Sequence, residues 1–211
     1  MHLEQIPVGP YRNFAYLVAD EDTGEAAIVD PAWEVDLLAG RLVQDSATTK
    51  EDNLRLRYII NTHAHLDHIQ GNQQISARTG ARVVMHESSL ARKDIGVRDG
   101  DEIRLGEVTL RFIHTPGHSP ESMCIVAGES ALLTGDTLFI GECGRVDLPG
   151  GDASALYDSF QKIKSLNAAL IVYPGHDYGP KKSSTLGEQL KTNYTLAPRS
   201  REEFIKFMRE P

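Results

Sequence analysis

Leu56-Arg57-Tyr58-Ile59-Ile60-Asn61-Thr62-His63-Ala64-His65-Leu66-Asp67-His68 is the stretch that decides how the rest of the chain reads. Its first five residues are strand-like, rich in β-branched and aromatic side chains. A strand end is rigid, and the loop beyond it lets side chains converge. His63 and His65 are two apart, so on an extended backbone they leave from one face. Asp67 and His68 fall at an expected helix start and aim elsewhere. Such a segment can supply two ligand sets to two adjacent metals.

Three further apolar runs end in a candidate ligand. Thr115-Pro116-Gly117-His118 follows Leu110 to Ile113. Thr134-Gly135-Asp136 follows Ala131 to Leu133. Tyr173-Pro174-Gly175-His176 follows Leu170 to Val172. Each ligand is preceded by a glycine, which permits a tight turn and a close backbone approach. A lone His-x-His is an ordinary surface pattern. Five His and two Asp at four strand ends are what a metal site on one edge of a sheet requires. His2, His86 and His114 fit no such constellation and read as structural or surface residues. His114 shares strand parity with Leu110 and Phe112, so half-burial is expected.

The remaining chain supplies the frame. Asn13 to Ala19 and Glu25 to Asp30 read as strands around an Asp22–Gly24 turn. Val35, Leu38 and Leu42 recur at helical spacing, and polar Asp45 to Asn53 reads as a loop. Ile69 to Thr79 reads as a helix closed by Gly80. Arg82 to Met85 is strand-like, with a short helix expected from Glu87. Glu102 to Leu105, Val108 to Ile113, Ser122 to Ala127 and Ala131 to Leu133 form a meander. Leu156, Phe160, Ile163 and Leu166 mark an amphipathic helix with Asp152 as its N-cap. Ala169 to Val172 is another strand. Thr185-x-x-Glu188 and Ser200-x-x-Glu203 are capping-box patterns. Strands alternating with helices imply layered α/β architecture with mixed sheets. No repeat or linker divides the chain, so residues 1–211 are expected to form a single domain.

Composition narrows the function. The 211 residues carry 22 Lys+Arg against 30 Asp+Glu, a formal charge of −8, with the basic residues scattered. A nucleic-acid binder needs a clustered basic face, so that class is excluded. No window is apolar for 18 or more residues, and Met1 to Pro7 has neither the basic start nor the apolar core of a signal peptide. Cys124 and Cys143 are too few for a disulfide framework, so a reduced, cytoplasmic protein is expected. A chain of this length buries roughly 70% of its unfolded surface, so it folds without a structural metal. Any metal is then functional.

The series His63-x-His65-x-Asp67-His68, His118, Asp136, His176 resembles the signature of the metallo-β-lactamase superfamily. The resemblance runs in the right order from Asn13 to about Tyr178. It implies an αββα sandwich, two mixed sheets face to face with helices outside and the metal at one edge. It implies one metal site at His63, His65 and His118, another at Asp67, His68 and His176, and Asp136 as the bridge. Exported zinc β-lactamases commonly carry Cys at the Asp136 position, and flavo-diiron proteins carry Glu at the His65 position. The nucleases need a large extra domain. Persulfide dioxygenases, glyoxalase II-type thioesterases and lactonases remain.

Two stretches discriminate among these. Gly141-Glu142-Cys143-Gly144-Arg145-Val146-Asp147 is similar to the Cys-Gly-Arg-Thr-Asp segment of persulfide dioxygenases. So are His176-Asp177-Tyr178-Gly179, Ser184-Thr185 and the terminal Glu203 to Met208 helix. Glyoxalase II usually has aromatic residues and Glu-Gly after that Arg, and a long helical C-terminal domain; 33 residues follow Tyr178 here. The resemblance therefore implies oxidation of glutathione persulfide by O₂ to sulfite and glutathione. It implies one Fe(II) per chain on His63, His118 and Asp136, a two-His-one-carboxylate triad with open positions. His65, Asp67, His68 and His176 would then hold water or orient the ligands. The alternative is hydroxyacylglutathione hydrolysis by two metals (Zn, Fe or Mn) bridged by Asp136. A lactonase-like hydrolase ranks below both, and a metal sensor or scaffold would be expected to have lost ligands, which this chain has not. Arg145 and Tyr178 are the expected glutathione contacts, Lys181 and Lys182 read as solvated lysines, and Cys143 as a buried inert thiol. The resemblance also suggests a homodimer, while charge and hydropathy point to no membrane or nucleic-acid partner.

Overall fold

Adjacent residues on the central strands go to different layers, and that alternation builds the molecule. Ile59 and Ile60 are neighbours in sequence, yet Ile60 packs between two sheets while Ile59 packs under helices. Phe112 and Ile113 divide in the same way. The period of two along a strand is the cause. The computed structural model describes residues 1–42 and 54–209.

The first half comprises β1 (His2–Val8), β2 (Asn13–Ala19), β3 (Glu25–Val29), α1 (Val35–Leu42), β4 (Arg55–Ile60), α2 (Leu66–Ile69), α3 (Asn72–Thr79), β5 (Arg82–His86) and β6 (Ile95–Val97). The second comprises β7 (Glu102–Leu105), β8 (Val108–His114), β9 (Met123–Ala127), β10 (Ala131–Gly135), α4 (Ala153–Lys164), β11 (Ile171–Pro174), β12 (Ser184–Thr185), α5 (Leu186–Thr192) and α6 (Arg201–Phe207). Strands pair in the order β1-β2-β3-β4-β5-β6 in one sheet and β12-β11-β10-β9-β8-β7 in the other. Both sheets are mixed: β3–β4–β5–β6 run parallel in the first, and β10–β11 in the second.

Three apolar layers follow. Phe14, Tyr16, Ile60, Leu110, Phe112 and Ile125 fill the space between the sheets. Leu17, Ile28 and Ile59 pack with Leu38 of α1 and Ile75 of α3. Val126 and Leu132 pack with Leu156 and Phe160 of α4 and Phe204 of α6. The chain is thus the expected αββα sandwich of two mixed sheets with outer helices. Among the described residues, no helix is long and apolar enough to cross a membrane.

Several local expectations are corrected. The single helix over Ile69 to Thr79 is two, α2 and α3, broken at Gly71. A Cβ at Gly71 would stand 1.9 Å from the Pro31 carbonyl oxygen, so the chain there passes too close to its neighbour for any side chain. No helix starts at Glu87. His86 Nδ1 bonds Ser88, and the Asp94 carboxylate takes the Val83 N–H at 2.8 Å, drawing residues 87–94 back along β5 as turns. β1 and β6 were not anticipated, and β11 begins two residues later than expected. The loop expected over Asp45 to Asn53 lies outside the described residues.

The caps agree better. Asp152 accepts from Ser154 N at 2.7 Å and Ala155 N at 3.1 Å. Ser200 and Glu203 complete a reciprocal capping box. Thr185 caps α5, but the Glu188 carboxylate turns instead to Ser184 and Lys181. An Asp152→Ala variant loses about 1 kcal/mol of helix capping. For a chain of this size that lowers Tm by roughly 2–4 °C; calorimetry showing no shift would contradict the assigned cap.

Candidate metal centre

Four strands deliver side chains to one edge of the sandwich. His63 follows β4, His118 lies in the loop after β8, Asp136 follows β10 and His176 follows β11. The two sheets are stitched together there by backbone bonds, Met123 N–H to Thr62 O at 2.9 Å and Phe14 N–H to Gly175 O at 2.8 Å. Crowding explains two of the glycines. Gly135 has φ +48° and a Cβ there would sit 2.4 Å from Thr62 Oγ1; one at Gly175 would sit 2.2 Å from Asp136 Oδ1.

The ring orientations follow from hydrogen bonds around the rim. The Asp30 carboxylate accepts from Thr62 N–H at 2.8 Å and from the Thr62 hydroxyl at 2.7 Å. With its proton used, Thr62 Oγ1 accepts from His63 Nδ1–H at 3.1 Å. His68 Nδ1–H donates to Asp30 at 3.1 Å, His118 Nδ1–H to the Arg145 carbonyl at 2.8 Å, and His176 Nδ1–H to the Tyr11 carbonyl at 2.9 Å. Each of these rings then turns its Nε2 atom inward.

The inward nitrogens converge on one another. His65 Nδ1 lies 3.0 Å from both His63 Nε2 and His118 Nε2, and His68 Nε2 lies 3.2 Å from His176 Nε2. Asp136 reaches both sets, with Oδ1 3.5 Å from His68 Nε2 and Oδ2 3.6 Å from His118 Nε2 and 3.3 Å from His176 Nε2. Asp67 Oδ2, held by the Asn13 amide at 3.0 Å, faces His176 at 3.5 Å. Buried Asp136 Oδ1 has no hydrogen-bond partner among the described residues. Converging ring nitrogens and an orphaned carboxylate oxygen suit a cation, and the imidazole and carboxylate donors fit a transition metal. His63, His65 and His118, then His63, His68 and Asp136, then Asp67, His68 and His176 each place donor atoms within 4.8 Å of one another. All seven predicted residues are therefore brought together at one edge of the sandwich.

Electrostatics separate the two sets. Burial pushes His63 and His65 down, and neighbouring histidines add to it, so these rings are neutral donors. Burial also opposes charge on His68, but Asp136, Asp30 and Asp67 outweigh it and raise the ring to about 9. His176 is raised by Asp136 against burial. Asp136 is itself buried, yet His68, His176 and His63 hold its carboxyl well below the usual range. It is ionised at any working pH.

A pocket of about 450 Å³ opens over the cluster, walled by Tyr11, Phe139, Leu148, Arg145 and Tyr178. Tyr178 stacks on His176 with ring centroids 4.6 Å apart and planes at 12°. Burial raises its hydroxyl, which stays a proton donor. The Arg145 fork is closed by Asp147 through two bonds of 2.6 Å. Lys181 pairs with Glu188 at 2.7 Å, and neither Lys181 nor Lys182 lines the pocket. Cys143 is buried and its thiol pushed up to about 12, so it is protonated and unreactive. His86 and His114 stack on each other at 3.8 Å, away from the cluster.

Sequence reasoning missed Asp30, Asn13, Thr62 and the Tyr11 carbonyl. Asp30 carried a usable signal. It ends an apolar strand just before Pro31, as the other site residues end theirs.

Comparison with known proteins agrees with this geometry. The family described as the metallo-β-lactamase superfamily matches residues 8–176. The chain is 38% identical over 199 residues to the mitochondrial persulfide dioxygenase ETHE1 of Homo sapiens, covering 93% of this chain and 76% of that protein. It is 39% identical over 186 residues to a hydroxyacylglutathione hydrolase of Polaromonas sp., covering 84% of this chain and 67% of that protein. The crystal structure of ETHE1 from Myxococcus xanthus superposes with a TM-score of 0.88 at 34% identity, over 100% of this chain and 91% of that one.

Asp30 touches no inward-facing nitrogen, yet it fixes two of the rings. Asp30→Asn should weaken metal binding by about 10–100-fold, the usual effect of removing a group that orients a ligand. Competition against a chelator measures this. An unchanged affinity would sink the role given to Asp30.

Proposed function

The chain belongs to the metallo-β-lactamase superfamily, and on that premise we propose that it is a persulfide dioxygenase acting on glutathione persulfide. The overall reaction takes the persulfide, O₂ and water to glutathione and sulfite, with two protons released. The observation that carries this reading is the near-full-length likeness, in sequence and in fold, to two proteins of that activity or name. The segment Cys143-Gly144-Arg145-Val146-Asp147 at the pocket wall supports it.

His63, His118 and Asp136 would hold one ferrous ion, which supplies open positions where a sulfur ligand and O₂ are brought together. The protein's own groups do the rest. Thr62 and the Arg145 carbonyl keep the Nε2 atoms of His63 and His118 aimed inward. Ionised Asp136 balances the positive charge. His65, Asp67, His68 and His176 hydrogen-bond water and the ligands. Phe139 and Leu148 dry the wall of the pocket. Tyr178, still protonated, donates to the tripeptide. Arg145 takes a substrate carboxylate in exchange for Asp147, one carboxylate replacing another in the same fork. That exchange gives direction more than affinity.

A second reading keeps a specific footing. All seven donors are present and Asp136 spans both sets, which suits a dinuclear hydroxyacylglutathione hydrolase as well. A paired assay separates the two. Iron-loaded protein should consume one O₂ per glutathione persulfide and release sulfite, with negligible loss of S-lactoylglutathione. Rapid thioester hydrolysis with no O₂ uptake would replace this function with the hydrolase.

A further inference from the structure

His86 and His114 stand outside the metal cluster, yet both lead back to it. Their rings stack with centroids 3.8 Å apart and planes at 10°. The backbone of His114 is held as well: the Asp99 carboxylate takes its N–H at 2.8 Å, and Lys162 Nζ donates to its carbonyl at 2.9 Å. From that fixed position the His114 ring donates through Nε2 to the Pro120 carbonyl at 2.8 Å. Pro120 belongs to the turn Ser119-Pro120-Glu121-Ser122, closed by Ser122 N–H to Ser119 O at 3.3 Å, with proline at its preferred second position. The Ser119 and Ser122 hydroxyls bond each other at 2.8 Å. The turn starts directly after His118.

This turn presents Glu121 to the other sheet. The Glu121 carboxylate accepts from Ala64 N–H at 3.0 Å. That N–H belongs to the peptide that follows His63. The peptide that precedes His63 is held by the same segment, its Thr62 carbonyl accepting from Met123 N–H at 2.9 Å. Both peptides flanking His63 are therefore anchored on residues 121–123, three to five residues beyond His118. His65 depends on this anchorage most. His63, His68, His118 and His176 each bond an outer group through Nδ1. His65 turns Nδ1 inward instead, and among the described residues its Nε2 has no hydrogen-bond partner. Its direction comes from the backbone rather than from an outer hydrogen bond.

We propose that Glu121 is a positioning residue of the metal centre, strapping the His63–His65 turn to the His118 turn and so setting the spacing of donors that come from different sheets. A carboxylate on a main-chain N–H is a charge-assisted bond, stronger than a neutral one. His114, stacked on His86, braces the turn that carries Glu121. The inference rests on reading the cluster as a metal centre, whichever reaction that centre serves.

Cobalt(II) is a suitable probe, because its visible spectrum reports ligand geometry as well as occupancy. In competition with a chelator, E121A should bind cobalt(II) about ten-fold more weakly, the lower range for loss of a group that orients ligands. Its ligand-field bands should also change in position or intensity. E121Q keeps an oxygen acceptor and should recover most of the affinity and the wild-type spectrum. Ser200→Ala removes the cap of α6 and should leave both unchanged, which separates lost aim from a general loss of stability. Unchanged affinity and spectrum in E121A, an equal loss in E121Q, or a loss as large in Ser200→Ala would overturn the proposal. Wild type that takes up no cobalt(II) would instead overturn the metal-centre reading, and this inference with it.

Discussion

The Asp30 carboxylate accepts three hydrogen bonds, two from Thr62 and one from His68, in a fully enclosed position. A buried carboxylate without such partners would be very costly. Supplied with them, it becomes the point from which the edge of the sandwich is set out. Through the Thr62 hydroxyl it decides the tautomer of His63. Through its other bond it orients the ring of His68. Its own backbone, at φ +51°, hangs from the Ile60 carbonyl on the neighbouring parallel strand. One acidic side chain thus couples the end of β3 to the histidine loop after β4. The same Thr62 offers its carbonyl to Met123 of the other sheet, so the sheets meet where the rings converge.

What could be read from sequence was what is local. His63-x-His65 and the three glycine-ligand pairs stand out because each sits at the end of an apolar strand. The strand period of two makes such strings unambiguous, and the two sheets and the long helix α4 follow from the same periodicities. What could not be read depends on partners far along the chain. Asp30 meets residues 32 and 38 positions away. β1 is an edge strand containing Gln5 and Pro7, with five of its seven residues not buried, so its pattern is weak. The helix expected from Glu87 loses to a tertiary bond, because Asp94 caps the edge of β5. Gly71 divides a periodic helix for a neighbour forty residues earlier. Arg145 lines the pocket, but its pairing with Asp147, two residues away, makes it a shared rather than a free fork.

The charge of the chain takes a different meaning once the site is seen. An acidic protein proposed to bind an anionic thiol must concentrate positive charge locally. Neutral His63 and His65 add none without a metal. His68 carries charge in the metal-free site because three carboxylates surround it, so a proton there occupies the place that a cation takes. This gives the two halves of the cluster different characters. The His63 half is made of imidazoles, with His63 and His65 neutral, ready for a soft-to-borderline metal. The His68 half is an acid-rich network that can hold water as readily as a second ion.

That difference is the core of the proposed mononuclear iron site, and metal content tests it most directly. After equal iron loading, wild type should hold about one iron per chain. His68→Ala should keep most of it, while His63→Ala, His118→Ala and Asp136→Ala should keep almost none. Two metals per wild-type chain, or equal loss in all four variants, would contradict the account and point to a dinuclear centre.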